Sequence, residues 1–123
     1  MSFSITVLRA IDKLPRTPSG DVVARQLAKS ATSVSSNYRA ACICRSRREF
    51  IAKLGVVLEE ADESVYWMDV ILRAGLLVGA DTESIRSEAL QLRAIFARSV
   101  ATARANYSIA KSKSKQPNNQ VTK

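Results

Sequence analysis

Four carboxylates crowd the middle of the chain, at Glu59, Glu60, Asp62 and Glu63. Helical bundles use clustered carboxylates to hold a di-iron centre, but that centre also needs a histidine from each of two helices. The sequence contains no histidine, so the centre cannot be assembled, and carboxylates alone on one helix face offer a poor geometry for a hard cation. We therefore expect no metal ion and no other cofactor.

The two thiols of the chain belong to Cys42 and Cys44. On a helix, residues two apart point about 200° from each other, so these thiols would not form a disulfide with one another there. We interpret them as reduced, structural cysteines. Histidine, the commonest general base, is absent, and neither thiol has a recognisable acid–base partner in the sequence. The residues therefore predict a protein that is not an enzyme.

Lysine and arginine give the chain a formal net charge of +8, and these cations are segregated along the sequence. Residues 22–48 and 93–115 each contain six cations and no acid, whereas residues 59–69 contain five acids and no base. Two basic helices are thus expected to flank an acidic one. A surplus of permanent positive charge favours an anionic partner.

Helical spacing aligns several of the cations. Arg86, Arg93, Arg104 and Lys111 are separated by 7, 11 and 7 residues, which superimposes them within about 20° on a helical wheel. We interpret this line as part of a groove that follows a sugar–phosphate backbone, and the alternative is that the cations pair with acids of the preceding helix. Aromatic residues are few, so binding should depend on backbone and shape rather than on base sequence. The predicted nucleic-acid contacts are Arg25, Lys29, Arg39, Arg45, Arg47, Arg48, Arg86, Arg93, Arg98, Arg104, Lys111, Lys113 and Lys115.

These residues are positioned by four segments in which apolar residues recur at helical spacing. A short first helix covers residues 3–13, and a second follows the loop of residues 15–20, with Ser19 as its predicted cap. Ser46 and Glu49 form a capping box that begins the third helix. Gly75 ends that helix, and the fourth begins near residue 81.

The lengths and loops of these helices indicate the architecture. Helices two to four each run for about 25 to 29 residues, and matched helices with short loops describe an all-α, antiparallel up-and-down four-helix bundle. We assign residues 1–110 to this domain and residues 111–123 to a disordered basic tail, because the tail is too polar to offset the entropy of ordering it. Neither a membrane-spanning run nor the pattern of a signal peptide is found, so we expect a cytoplasmic protein that does not bind membranes.

Two further faces are distinctive. On helix two, polar residues follow the edge of the apolar stripe, and a matching flank on helix three carries further polar residues. We interpret these sets as a buried hydrogen-bonding network, with a small-ligand site near Asn37 and Glu60 as the alternative. The sets are Gln26, Ser30, Ser33 and Asn37 on helix two, and Lys53, Glu60 and Trp67 on helix three.

Helix four has a second face, which is formed by Leu90, Ala94, Ala101 and Ala105. Its small side chains would suit a homo-oligomer contact. The alternative is that the alanines are there only because alanine has a high helix propensity.

Several short motifs carry a family resemblance: Leu14-Pro15, Gln26-Leu27, Ser30 to Ser33, Asn37-Tyr38, Arg45 to Arg47, Glu49 to Leu54, Glu59 to Glu63 and Tyr66-Trp67. Through these motifs the chain resembles a bacterial family of four-helix bundle proteins related to those encoded by intervening sequences of 23S ribosomal RNA genes. The resemblance covers most of the chain short of the Lys-rich tail. It implies an antiparallel four-helix protomer that assembles into a ring, typically a pentamer, with no assigned enzymatic activity.

A similar bundle serves as the accessory variability determinant of diversity-generating retroelements, a basic ring that works with a reverse transcriptase and nucleic acid. By this analogy, the leading hypothesis is a ring-forming bundle that binds RNA or DNA as an accessory to a reverse transcriptase. The alternative is an oligomeric scaffold whose basic faces bind an acidic protein and no nucleic acid. The quoted motif residues are structural in type, so the analogy does not by itself specify the partner.

Overall fold

The computed structural model describes residues 2–115 and consists of four helices: α1 (Ser2–Ile11), α2 (Pro18–Cys42), α3 (Arg47–Arg73) and α4 (Ala80–Lys115). This part of the chain contains no strand, and the predicted all-α four-helix bundle is confirmed. None of the helices described is long and apolar enough to cross a membrane.

Helix α3 lies at the centre of the packing, against α2 on one side and α4 on the other, while α1 packs against α2 and α4. The ten residues of α1 extend about 15 Å at 1.5 Å per residue, whereas the 27 residues of α3 extend about 40 Å. The core accordingly has two clusters. Phe3 and Val7 of α1 belong to one cluster with Met68 of α3, whereas the cluster around Leu54 and Phe96 is built from α2, α3 and α4.

Helix α1 is attached to α2 by a buried serine that the sequence reasoning did not single out. Ser4 Oγ donates to the carbonyl oxygen of Ala31 at 2.7 Å, and it lies 2.5 Å from Ser35 Oγ. A hydroxyl buried in an apolar setting needs such partners. These contacts fix the level at which the short helix lies along the bundle.

The ends of α3 are as predicted. Ser46 Oγ accepts the Glu49 N–H at 3.1 Å, which satisfies one of the free donors of the first turn. At the other end, Gly75 adopts φ of 66°, and the N–H groups of Gly75 and Leu76 donate to Leu72 and Ile71 carbonyls at 3.2 and 3.0 Å. This is the Schellman arrangement that a glycine permits at low cost.

The N-cap of α2 differs from the prediction, because it is Thr17 and not Ser19. Thr17 has an extended backbone and its Oγ1 accepts the Gly20 N–H at 3.1 Å. Pro18 then occupies the first helical position, where its fixed φ suits the helix and its missing N–H is not needed. Gly20 is required as well, because a Cβ there would collide with the carbonyl oxygen of Pro15.

The C-terminal boundary also differs from the prediction. Helix α4 continues to Lys115, so residues 111–115, assigned to a disordered tail, are helical. Lysine and serine are tolerated on a fully solvated helix face, and cations in the last turn interact favourably with the helix dipole. The rest of the predicted tail, residues 116–123, lies outside the described residues.

Candidate nucleic-acid interface

Two side-chain contacts mark a cross-section of the bundle. Ser64 Oγ of α3 donates to Ser30 Oγ of α2 at 3.1 Å, and Arg93 Nη1 of α4 donates to Asp62 Oδ1 of α3 at 2.8 Å. Residues 2–33 and 61–93, which include all of α1, form what we call the four-helix half. Residues 34–60 and 94–115 form the three-helix half.

The net charge of the described residues lies entirely in the three-helix half. That half contains ten lysines and arginines and three carboxylates, whereas the four-helix half contains eight cations and eight carboxylates. The antiparallel order of α2, α3 and α4 is the cause, because it brings the end of α2, the start of α3 and the end of α4 to one end of the molecule. A local excess of this kind attracts polyanions and raises their rate of encounter.

Nine of the thirteen predicted contacts fall in the three-helix half, and all nine are exposed. Lys53, which the sequence reasoning assigned to an internal network, is also exposed there and completes the ten cations. Helical spacing gave no signal for it, because six residues separate Lys53 from Arg47 and place the two about 120° apart around the helix. The nine predicted contacts are Arg39, Arg45, Arg47, Arg48, Arg98, Arg104, Lys111, Lys113 and Lys115.

The other four predicted contacts lie in the four-helix half, mostly beside carboxylates. Arg86 Nε contacts Asp69 Oδ1 at 2.5 Å, and Arg93 pairs with Asp62 as described above. Lys29 lies near the carboxyl of Glu60. Burial raises the pKa of this carboxyl, whereas Ser33 and Lys29 act to lower it. Arg25, the fourth, is exposed.

The line of cations predicted along α4 is therefore divided. Its first two members, Arg86 and Arg93, pair with α3, which is the arrangement that the alternative interpretation expected. Its last two, Arg104 and Lys111, lie in the three-helix half, and the Arg104 guanidinium lies over Gly55, 3.9 Å from the position that a Cβ would occupy. The sequence shows the spacing of the cations but not the register of α3, which decides which of them meet a carboxylate.

An open groove of about 780 Å³ lies between the start of α3 and the second part of α4, within the three-helix half. Phe50 and Leu54 provide apolar surface from α3, and Ile95 provides it from α4. Arg47 and Arg98 bring one cation from each helix. Of the nine described residues that line the groove, none is acidic; the remaining four are Ser99, Thr102, Ala103 and Asn106.

The predicted polar network is present in part. Ser30 is buried and accepts from Ser64, a partner that the sequence reasoning missed although it lies four residues after Glu60 on α3. Ser33 acts to lower the pKa of the Glu60 carboxyl. Trp67 Nε1 donates to Glu63 on its own helix, at 3.5 Å, rather than to α2. The bond between Ser30 and Ser64 joins α2 to α3, which favours the network interpretation over a ligand site.

The two cysteines are free, but their surroundings differ from the expectation. Cys42 is the last residue of α2 and is exposed, so it is not a packed structural residue. The neighbouring Cys42 side chain raises the pKa of the Tyr38 phenol. Cys44 lies beyond the helix, half-buried, and its thiol donates to the Ala40 carbonyl at 3.3 Å. Across residues 2–115, no three cysteine or acidic side chains converge in a way that could hold a metal ion.

Comparisons with known proteins agree with this architecture. A crystal structure at 1.70 Å of a protein of unknown function from the S23 ribosomal protein family of Bacteroides thetaiotaomicron has a TM-score of 0.74 and 26% sequence identity, covering 80% of this chain and 92% of that one. No curated protein matches the chain in sequence. The family model for the 23S rRNA-intervening sequence protein matches residues 1–98. The chain therefore belongs to the 23S rRNA-intervening sequence protein family.

Proposed function

We propose that the protein is a non-enzymatic nucleic-acid-binding bundle that contacts RNA or DNA through its three-helix half. The observation that supports this most is the charge division, with ten cations against three carboxylates in one half and electroneutrality in the other. The nine predicted contacts of that half are exposed, and the ion pairs found among residues 2–115 involve Arg86 and Arg93 of the other half. Binding of this kind is driven by counterion release and depends weakly on base sequence.

The proposal extends to assembly. The face of α4 that carries Ala94, Ala101 and Ala105 is exposed, and small side chains allow another helix to come close. We propose a homo-oligomeric ring, a pentamer by the resemblance stated above, in which five basic halves form one larger cationic surface. The ring would act in the cytoplasm as an accessory to a reverse transcriptase of a diversity-generating retroelement. This role is supported by the family resemblance alone.

The test is a binding titration of the purified protein with labelled structured RNA and with duplex DNA over a series of salt concentrations, with the oligomer mass measured in the same buffer. We expect binding to both, with affinity falling steeply as salt rises, and the mass of a pentamer. A monomeric mass would contradict the ring but not the binding. An absence of binding even at low salt would contradict the nucleic-acid proposal, and a scaffold for an acidic protein would then become the leading hypothesis.

A further inference from the structure

The groove between α3 and α4 lies in the part of the bundle that α1 does not cover. In the four-helix half, α1 packs against α2 and α4, and its Phe3 and Val7 share a core cluster with Met68 of α3. In the three-helix half, the apolar stripe of α3 continues to Phe50 and Leu54, which line the open groove. Leu54 is buried, so half-buried Phe50 is the apolar side chain of α3 that remains partly accessible in this basic part of the molecule.

The chemistry of the groove combines three features at close range. Phe50, which is half-buried, offers an aromatic surface. Thr102 and Asn106 are exposed and carry hydrogen-bond donors and acceptors. Arg47 and Arg98 add positive charge from the two sides of the groove. A nucleotide needs these three features together, because its base is flat and apolar on its faces, polar on its edge and attached to phosphates.

Charge and size favour a nucleotide over an apolar peptide. None of the described lining residues is acidic, so an anionic ligand meets no repelling carboxylate from the groove lining and can displace the counterions of the two arginines. The volume of about 780 Å³ lies within the roughly 300–1,000 Å³ of small-molecule sites, which suits a single nucleotide and not a folded element. A paired base cannot enter, because its faces are stacked and its edge is occupied by its partner.

We propose that this groove holds one unpaired nucleotide of a bound RNA, with the base against Phe50 and the flanking phosphates at Arg47 and Arg98. The inference rests on the proposed nucleic-acid binding and adds a preference to it. The basic surface binds paired and unpaired RNA alike through phosphates, whereas the groove distinguishes them. The preferred substrate is therefore a duplex interrupted by a bulge or loop.

The experiment compares three hairpin RNAs of equal length and charge at one salt concentration. The first is fully paired, the second carries one bulged uridine, and the third carries an abasic ribose at the bulge. We expect all three to bind, and the uridine bulge to bind more tightly than the abasic bulge by on the order of tenfold, which is typical for stacking one base on an aromatic side chain. Equal binding of the two bulges would overturn the inference and leave the charge-based binding standing. Failure of all three to bind would refute both.

Variants then test whether the groove is the place of recognition. Phe50→Leu keeps an apolar side chain but removes the aromatic surface, and Asn106→Ala alters an exposed helix position. Each variant should reduce the preference for the uridine bulge over the abasic bulge to below threefold. Its affinity for the fully paired hairpin should stay within twofold of the unsubstituted protein's affinity. Gln91→Ala, at an exposed position of α4 in the four-helix half, is the matched control and should keep the preference. If the preference persists in Asn106→Ala and in a folded Phe50→Leu, the base is read elsewhere and the inference is wrong.

Discussion

Neutralising two cations of the three-helix half should weaken nucleic-acid binding far more than neutralising two cations elsewhere. The test pair is Arg45→Gln with Arg48→Gln, and the control pair is Arg16→Gln with Arg73→Gln. All four residues are exposed, and both pairs lower the net charge by the same amount. Only their position in the bundle differs, so the comparison separates a located surface from a general effect of charge.

The magnitude follows from the number of cations that a duplex can meet. If about half of the ten cations of the three-helix half contact phosphates at once, the plot of log affinity against log salt has a slope of about −4.5 for duplex DNA. Between 50 and 200 mM salt, affinity then falls about 500-fold. Each lost contact makes the slope shallower by about 0.9 and lowers affinity about eightfold at 0.1 M salt. The Arg45 and Arg48 variant should therefore lose about 60-fold and the control less than threefold.

Loss of folding would not explain such a result. Arg48 lies in the first turn of α3, where the helix dipole makes a cation unfavourable, so glutamine at that position should not destabilise the helix. The assay is a fluorescence-anisotropy titration of each variant across the salt series, with helical content measured in parallel. Equal losses in the two pairs would refute the reasoning, since affinity would then depend on net charge alone and the division between the halves would have no consequence.

Three further predictions concern the fold. Thr17→Ala should lower the free energy of unfolding by about 1 kcal/mol, whereas Ser19→Ala should change it little; chemical denaturation checks both, and the reverse order would restore Ser19 as the cap. Gly75→Ala should destabilise by about 1 kcal/mol because of the positive φ, and an unchanged midpoint would show that this turn rearranges freely. Because burial raises the pKa of Glu60 above its ordinary value of 4.5, the folded state binds the proton more tightly than the unfolded state. The ionised Glu60 carboxylate therefore lowers the free energy of unfolding increasingly as pH rises from the pKa of the unfolded state through the higher pKa of the folded state. Glu60→Gln should accordingly stabilise the protein at pH 7 and lose that benefit near pH 4, and a variant that is less stable at pH 7 would contradict this reasoning.

The sequence was sufficient for features that depend on local chemistry. The capping box at Ser46 and the glycine stop at Gly75 involve residues within a few positions of each other, so the one-dimensional pattern contains all of the information. The cap of α2 was misassigned although it is also local, because both Thr17 and Ser19 are good caps and the choice depends on Pro18, which favours the first helical position. Propensity alone does not rank two cap candidates that lie two residues apart.

Features that depend on register between helices could not be read from the sequence. The spacing of Arg86, Arg93 and Arg104 is the same whether or not a carboxylate of α3 lies opposite. In the structure, Asp69 and Asp62 meet the first two, while Arg104 meets Gly55. The groove was missed for a similar reason, since it exists because α1 covers only part of the bundle.

The position of each cation relative to the helix ends helps to separate stability from function. Arg39 is in the last turn of α2, and Lys113 and Lys115 are in the last turn of α4, where the dipole favours positive charge. Helix stability alone accounts for these three. Arg47 and Arg48 occupy the first turn of α3, where the same dipole opposes them. Stability offers no reason for two adjacent arginines at that position, so they are the cations whose presence is best explained by an anionic partner.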